Sequence, residues 1–473
     1  MRRKQLFLNA PDGARIFSSL DEDGYVHFRE APGLPLPYWP DGRWCFEIAL
    51  FIKECAEKGA STFNRGGTLG TYASNLALLC RFCWRRGISF HALLDDDFSQ
   101  FIRELTEERI LRKGTIEQKR CGTTVIKIGR RCLEFLSFIA ELFRIPNFVK
   151  RDGVIRAWKA RYEYSGRNGR KFVRYGWHHS SFPPASPVHK RGPVDDEDVR
   201  RLRKLASFTK SRSPKSHYPL EMAKVRDRRR LVVLSLLDCG LRVGEVSQVT
   251  VDAVREALKM EVPHLKVWSL KKRKIEHRSV PVLRSELKFF LDYVDFWRSR
   301  VVEKYLGSGN DHGFLLVSTK SGMQLKPQII SSEIRLMKME AGIKNPCHSH
   351  LFRHRFVCDQ ILLFIQSCGA KERSELEKLL QFEGFLKELI MITGHSSVDS
   401  LNTYIDWAFI KLASEEKAPF ADPFALKVNA QVQLEVLAKQ FSELSLDELR
   451  GAVGRLIATL SDVPQAKFVG TGN

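Results

Sequence analysis

No run of this chain is at once long, apolar and free of charge, which argues against a membrane-crossing helix. A lipidation signal is missing as well. The opening residues, MRRKQLFLNAPDGAR, are basic but have no apolar core followed by a small-residue cleavage site. They therefore read as a mature cytosolic N-terminus. The ten cysteines have no framework spacing, so reduced thiols are expected rather than a disulfide scaffold. Cys80 and Cys83 form a CxxC inside the helical run TYASNLALLCRFCWRR, with no second pair nearby. Core packing is the better reading there than zinc or redox chemistry. Acidic residues are in short supply: 55 Asp and Glu face 77 Lys and Arg, a net charge of +22. Such a surplus implies a polyanionic partner, because cations set against phosphates release condensed counterions. Without an apolar stretch or a lipid signal, nucleic acid is favoured over an anionic membrane surface.

What is present is ordinary for a globular chain, with 43% hydrophobic and 28% charged residues. A length of 473 residues is enough for two or three domains. Residues 1–43 are rich in Pro and Gly, apart from a short strand or hairpin expected around 25–28, and form an N-terminal extension of unassigned role. From 44 to 162 the apolar period becomes helical, through Phe46, Ile48, Leu50 and Phe51, then Leu69, Tyr72, Leu76, Leu79 and Cys80. Further segments at 98–105 and 125–143 complete a domain of four or five helices. Its cations Arg65, Arg81, Arg85, Arg86, Lys127, Arg130 and Arg131 each read singly as solvated surface charge, but their density suggests a phosphate-facing surface. Residues 163–193 are basic and rich in Pro and Gly, without an apolar period, and read as a linker able to lie along a DNA backbone. Asp195 or Asp196 then caps the first helix of a second domain, 194–412. That domain is mixed. RRLVVLSLLDCG ends a buried helix at Gly240, and HLKVWSL and HRSVPV flank the basic turn KKRKIE as a hairpin. Helices are expected at 285–305, 329–341, 350–365 and 375–393, and a helical tail over 413–473. No internal repeat stands out. The fold class is mainly α with a small β-hairpin or sheet: a helical domain followed by a mixed α/β domain.

Four stretches of the second domain hold reactive side chains: CGLRVGEVSQV with Arg242, the basic hairpin, HSHLFRHRF with His350 and Arg353, and TGHSSVDSLNTYI with His395 and Tyr404. DNA strand exchange needs a nucleophile, a stabiliser for the charged phosphorane-like transition state and an acid for the departing 5′ oxygen. A tyrosine hydroxyl titrates near 10, so about a thousandth is ionised at neutral pH, and a neighbouring base or strong positive charge must assist it. Two arginines can clamp non-bridging oxygens in bidentate fashion, which a lysine cannot. Such preorganised donors are worth several kcal/mol in a transition state. A lysine can protonate the leaving hydroxyl. A phosphotyrosyl link conserves the phosphodiester energy, so resealing needs neither ATP nor a metal.

In chain order these parts resemble the tyrosine recombinase (phage integrase) family. The family pattern is an arginine in a Gly-Leu-Arg-x-x-Glu context, a hairpin lysine, His-x-x-Arg, and Gly-His with a tyrosine nine residues on. Gly240-Leu241-Arg242 precedes Glu245, His350 precedes Arg353 by three, and Gly394-His395-Ser396-Ser397 leads to Tyr404. The resemblance covers roughly 195–410 and extends more weakly to the helical region, similar to the family's core-binding domain. It implies that Arg242 and Arg353 clamp the phosphate, His350 assists the tyrosine proton and His395 hydrogen-bonds a phosphate oxygen. Glu245 would support Arg242, and Tyr404 would form a 3′-phosphotyrosyl intermediate. Counting back from Arg278 favours Lys272 as the leaving-group acid, with Lys271 and Lys274 as alternatives. No cofactor and no metal are expected. The implied partners are double-stranded DNA, further copies of the chain (a dimer per site, a tetramer in the synapse) and accessory recombination proteins, with no membrane. The implied place is cytoplasmic and nucleoid-associated. The implied activity is integration, excision or transposition of a mobile element.

Each residue has a plainer reading. Arg242 could pair structurally with Glu245 or Asp238, His395 could be a helix cap, and Tyr404 could be core packing. Cys347, His348, His350 and His354 could suggest zinc, but alternating Cys and His fit no known ligand set. The pattern also departs from the family in places. The interval from His350 to His395 is long, with the charged stretch GAKERSELEKLLQFEGF within 366–388. Phe352 replaces a leucine, Arg355 stands where a threonine is common, and the tail is extended. Two other functions compete: a catalytically silent DNA-binding accessory protein, and a relaxing enzyme resembling type IB topoisomerases.

Overall fold

The computed structural model describes residues 5–61, 63–112, 114–165, 171–187, 192–207, 220–269, 276–369, 373–378, 380–395, 397–414 and 453. They fall into two units, Met1–His189 and Lys190–Asn473.

The first unit is built on four helices, α1 (Phe46–Glu57), α2 (Phe63–Arg86), α3 (Asp95–Glu107) and α4 (Gly122–Leu142). In α3 the buried residues Phe98, Phe101, Ile102 and Leu105 recur every three to four positions, one apolar stripe of a 3.6-residue period. Its first turn carries Asp95, Asp96 and Asp97, where carboxylates meet the positive end of the helix dipole. Rings lock the helices together: Phe51 and Phe90 meet Phe135 at 5.6 and 5.0 Å, and Phe82 meets Phe101 at 5.5 Å. Cys80 and Cys83 are buried among them as free thiols.

Small sheets surround this bundle. β1 (Phe7–Asn9) pairs with β4 (Pro35–Pro37), and β2 (Arg15–Leu20) with β3 (Val26–Glu30). The N-terminal extension thereby gives Leu6, Phe7, Ala31 and Leu34 to the core of the first unit. β5 (Arg109–Arg112) and β6 (Thr115–Gln118) form an exposed hairpin. β7 (Val149–Lys150), β8 (Ile155–Ser165) and β9 (Lys171–His179) form a three-stranded sheet.

That sheet corrects the linker expected over 163–193. Its described residues up to Ser165 and from Lys171 pair antiparallel, from Ala157↔His179 to Ser165↔Lys171. Phe182 then packs against the core of the unit. The composition misled because a two-stranded ribbon with one solvated face needs little apolar period, and its alternating aromatics were diluted by cations.

The second unit comprises α5 (Asp196–Ser207), α6 (Leu220–Asp238), α7 (Val243–Gln248), α8 (Val251–Lys259), the hairpin β10 (His264–Ser269) and β11 (Glu276–Pro281), and α9 (Arg284–Tyr293). A π-helical turn, Val294–Arg298, leads into α10 (Ser299–Leu306). Then come α11 (Pro327–Glu340), α12 (Ser349–Cys368), α13 (Arg373–Lys378), α14 (Leu380–Thr393) and α15 (Asn402–Ser414). The long interval before His395 is part of the core: Leu376, Phe382 and Phe385 are buried in it, and Phe385 stacks on Phe364 at 4.3 Å. The tail beyond 414, apart from Val453, lies outside the described residues, as does the helix expected there. Among the described residues no helix is long and apolar enough to cross a membrane.

Charge inside this unit is paired. Arg229 of α6 donates to the Val317 carbonyl at 2.7 Å and to the Glu333 carboxylate of α11. Removing one partner of a buried pair leaves an uncompensated charge, which costs about 3–5 kcal/mol. Glu333→Gln is therefore expected to lower equilibrium unfolding stability by roughly that amount. A change below about 1 kcal/mol would show that the pair is not a structural constraint.

Candidate active site

The site assembles where α6 ends, α7 begins, β11 passes, and α14 stops. Arg242 sits at the N-cap of α7, and its own backbone N–H donates to Glu245 at 2.7 Å. Its guanidinium reaches the same carboxylate at 2.8 Å and the Gly394 carbonyl at 2.9 Å. From β11, Arg278 donates to Glu245 at 2.6 Å and to the Ile392 carbonyl. Arg353 of α12, only 1% exposed, donates to the Gly240 carbonyl at 2.8 Å and to the Thr393 carbonyl. Ile392, Thr393 and Gly394 carry the last carbonyls of α14, which have no intrahelical partner and bear the negative end of the helix dipole. Three guanidinium groups therefore satisfy one helix end, with Glu245 between two of them.

Gly394 makes this closure feasible. Its φ is +63°, and a Cβ there would stand 3.3 Å from Arg278 Cδ and 3.5 Å from Arg242 Nη1. A side chain would strain the backbone and press on both arginines.

One carboxylate among three guanidiniums leaves the cluster positive. Burial pushes Glu245 up, but Arg278 and Arg242 outweigh it and hold its carboxyl below the ordinary value. Burial, with Arg242 and Arg278 nearby, brings Arg353 down to about 9. Burial also lowers His395 to about 3, helped by Arg353, Arg242 and Arg278, so the ring is neutral near pH 7. Its tautomer follows from hydrogen bonding. The Thr393 hydroxyl donates to the Leu389 carbonyl at 2.5 Å, so its oxygen accepts from His395 Nδ1–H at 2.6 Å. His395 Nε2 is then the unprotonated nitrogen. Tyr404, 7% exposed on α15, lies with its ring 5.6 Å from His395 and 5.1 Å from His354. Burial raises its hydroxyl while Arg353 and Arg242 pull it down, with a net rise.

Of the residues expected from sequence, Arg242, Glu245, Arg353, His395 and Tyr404 meet in this cluster. His350 stands at the exposed start of α12, and its ring touches His354 at 4.6 Å. Lys272, with Lys271 and Lys274, lies outside the described residues, as does Ser396. Sequence reasoning missed three participants. Arg278 served only as a counting mark, Thr393 gave no signal, and the i, i+4 pairing of His354 with His350 was weighed only as a metal motif. Among the described residues no group of three or more His, Cys, Asp or Glu could hold a metal.

Arg355 is half-buried and held by carboxylates. It donates to Asp196 at 2.5 Å and Asp238 at 3.1 Å, with Asp359 at 3.5 Å. Lys411 of α15 meets Asp196 and Asp359 at 3.0 and 3.2 Å, and Arg203 meets Asp238 at 2.6 Å. This network of three cations and three carboxylates ties the tyrosine-bearing helix α15 to α5, α6 and α12.

The helical cations of the first unit divide. Arg81 reaches the Ala77 carbonyl at 3.5 Å, and Arg85 pairs with Glu104 at 2.6 Å. Arg86 lies 3.6 Å from Asp97 and over the Phe82 ring, and Lys127 is exposed. Arg130 donates to the Trp177 carbonyl at 3.0 Å and stacks on Tyr162, while Arg131 pairs with Glu134 and lies 3.3 Å from the Tyr72 centroid. The last two therefore stitch the unit together. Arg65 has no described side chain.

Residues 214–360 match the model of the phage integrase family, a segment that holds Arg242, Glu245, Arg278, His350 and Arg353 and ends before His395 and Tyr404. Over that segment the chain is similar to the phage integrase family, the tyrosine recombinases that its motifs resemble. No curated protein matches it. Among solved structures, XerH site-specific recombinase bound to difH substrate in a pre-cleavage complex is similar at 14% identity and a TM-score of 0.43, over 79% of this chain and 88% of that one. The post-cleavage XerH complex with palindromic difH gives 14% and 0.42, over 78% and 87%. XerA recombinase gives 17% and 0.31, over 79% and 99%. Likeness at these values says nothing of what this chain does.

The depressed His395 sets a pH response. Its ordinary pKa near 6.5 falls to about 3 on folding, so below about pH 6.5 the unfolded chain binds a proton that the folded one refuses. Stability must decline as pH falls through that window and is unaffected above it. His395→Gln is expected to flatten the decline between about pH 6 and 4 by up to about 1.4 kcal/mol per pH unit. Identical slopes in denaturation curves of the two proteins would contradict a neutral, buried His395.

Proposed function

We propose that the protein is a tyrosine-type site-specific DNA recombinase that cuts and rejoins strands through a 3′-phosphotyrosyl intermediate on Tyr404, serving integration, excision or transposition of a mobile element. The observation that carries this reading is the positive three-arginine cluster on the end of α14 with Tyr404 and His395 beside it. Arg242 and Arg353 hold the non-bridging oxygens of the scissile phosphate and strengthen their hold as charge grows in the transition state. Glu245 and Arg278 keep Arg242 aimed. The Tyr404 oxygen attacks phosphorus, the bond from phosphorus to the 5′ oxygen breaks, and that oxygen takes a proton, in the family role from Lys272. His350 receives the tyrosine proton, with His354 in contact with both rings. His395 binds a phosphate oxygen once protonated. The reverse attack by a 5′ hydroxyl reseals the strand without ATP or metal. Two protomers at each crossover site and four in the synapse follow from the family resemblance, with accessory recombination proteins as further partners and a nucleoid-associated place in the cytoplasm.

Covalent capture tests this. Wild type and Tyr404→Phe are expressed in cells, denatured rapidly, and the DNA left attached to protein is sequenced. Attachment that needs Tyr404 and gathers at a short sequence is the expected result. Diffuse Tyr404-dependent attachment would favour a relaxing enzyme, and none from either protein would favour an accessory role. Tyr404→Phe is expected to change DNA affinity little. Arg353→Ala is expected to slow cleavage by roughly 100-fold or more while affecting affinity far less. A loss confined to binding would remove Arg353 from the clamp.

A further inference from the structure

The first unit has a basic, aromatic cavity that the helical cations do not account for. It opens at the base of the β8–β9 ribbon with a volume of about 480 Å³, and its walls include Asn147, Lys150, Arg151, Trp158, Lys159 and Trp177. Three cations face it with one carboxylate, Asp152. Each indole has a cation above it: Arg151 lies 5.6 Å from the Trp158 ring and Lys159 lies 5.5 Å from Trp177. A cation stacked on an aromatic face is held in place yet keeps hydrogen-bond donors for an anion.

The walls are preformed. β7 pairs with β8 in parallel, Val149↔Ile155 and Lys150↔Arg156, so the chain turns back within 151–154. Gly153 permits this, since a Cβ would stand 2.1 Å from the Asn147 carbonyl. Lys150 Nζ donates to Asn147 Oδ1 at 2.8 Å, which leaves its other donors directed elsewhere. Buried Val149 and Ala157 complete the lining. Beyond the cavity the ribbon continues with exposed Arg161, Arg174 and Tyr175. Paired cations beside aromatic rings fit a phosphate with its adjoining sugar and base.

We propose that this cavity and the ribbon above it are a DNA-contact site, in which Lys150, Arg151 and Lys159 hold a backbone phosphate while Trp158 and Trp177 pack on the neighbouring nucleotide. The inference rests on the recombinase reading, because it names where that reading's duplex meets the first unit. It assigns the contact to a strand element in place of the helix faces singled out by charge.

The test titrates full-length protein with random-sequence duplex DNA at several salt concentrations. Arg151→Gln/Lys159→Gln is compared with wild type and with Arg255→Gln/Lys259→Gln, which removes two exposed charges from α8 in the other unit. Each phosphate contact contributes about 0.9 to the slope of log affinity against log salt. The ribbon double variant is expected to lower that slope by nearly two and affinity by roughly 10-fold at moderate salt. Trp177→Leu is expected to weaken binding several-fold without altering the slope, since it removes stacking and no charge. Unchanged thermal unfolding confirms that the exposed substitutions leave the fold intact. A ribbon variant that matches wild type or the α8 control overturns the site while leaving the recombinase reading in place. A wild type that binds DNA without salt dependence would overturn both.

Discussion

The end of α14 is the constraint on which the second unit turns. A helix that stops inside a protein must find donors for its final carbonyls, and here the donors are Arg278, Arg353 and Arg242 in succession. Structural need and chemical opportunity coincide. The same hydrogen bonds that finish the helix hold three guanidinium groups within one small volume, and Glu245 offsets only part of their charge. Bringing like charges together is unfavourable unless something negative fills the gap between them. The cluster is therefore preorganised for an anion, with its cost already met by the packing of α6, α12 and α14.

The polar network around Arg355 does for Tyr404 what the helix end does for the three arginines. Tyr404 and Lys411 are two turns apart on α15, so fixing Lys411 between Asp196 and Asp359 also fixes the pitch of the tyrosine side chain. Buried ion pairs add little to net stability, but removing one partner leaves an uncompensated charge, so this arrangement of α15 is costly to leave. The tyrosine helix is thus registered by charge at one end and by apolar contact through Ile405 and Ala408, with Leu401 buried just ahead of it.

Much of the second unit was legible because its reactive side chains are carried by short motifs. Arg242 and Glu245 sit three apart across a helix start, a spacing that forces their contact. Arg278 could not be read this way, since its partners Glu245 and Ile392 lie 33 and 114 residues away and meet it only through the hairpin fold. The helices of the first unit were visible from their apolar period. Its sheet was not, because cations and glycines dilute the alternation of the β8–β9 ribbon. Charge density marked Arg130 and Arg131 as surface groups, whereas both lie over aromatic rings, with Arg130 bonded to the Trp177 carbonyl and Arg131 paired with Glu134. Counting cations along a helix reports their number and says nothing of where their neighbours already hold them.

The hydrogen bond from His395 to Thr393 has a further consequence. It presents Nε2 as a bare lone pair, held so by burial and by the surrounding positive charge. A phosphate entering the cluster would offset that positive charge and raise the proton affinity of the ring, so proton uptake is favoured as the anion arrives. Occupancy and protonation of the site are then one thermodynamic event, and the buffer becomes a silent reactant in the association.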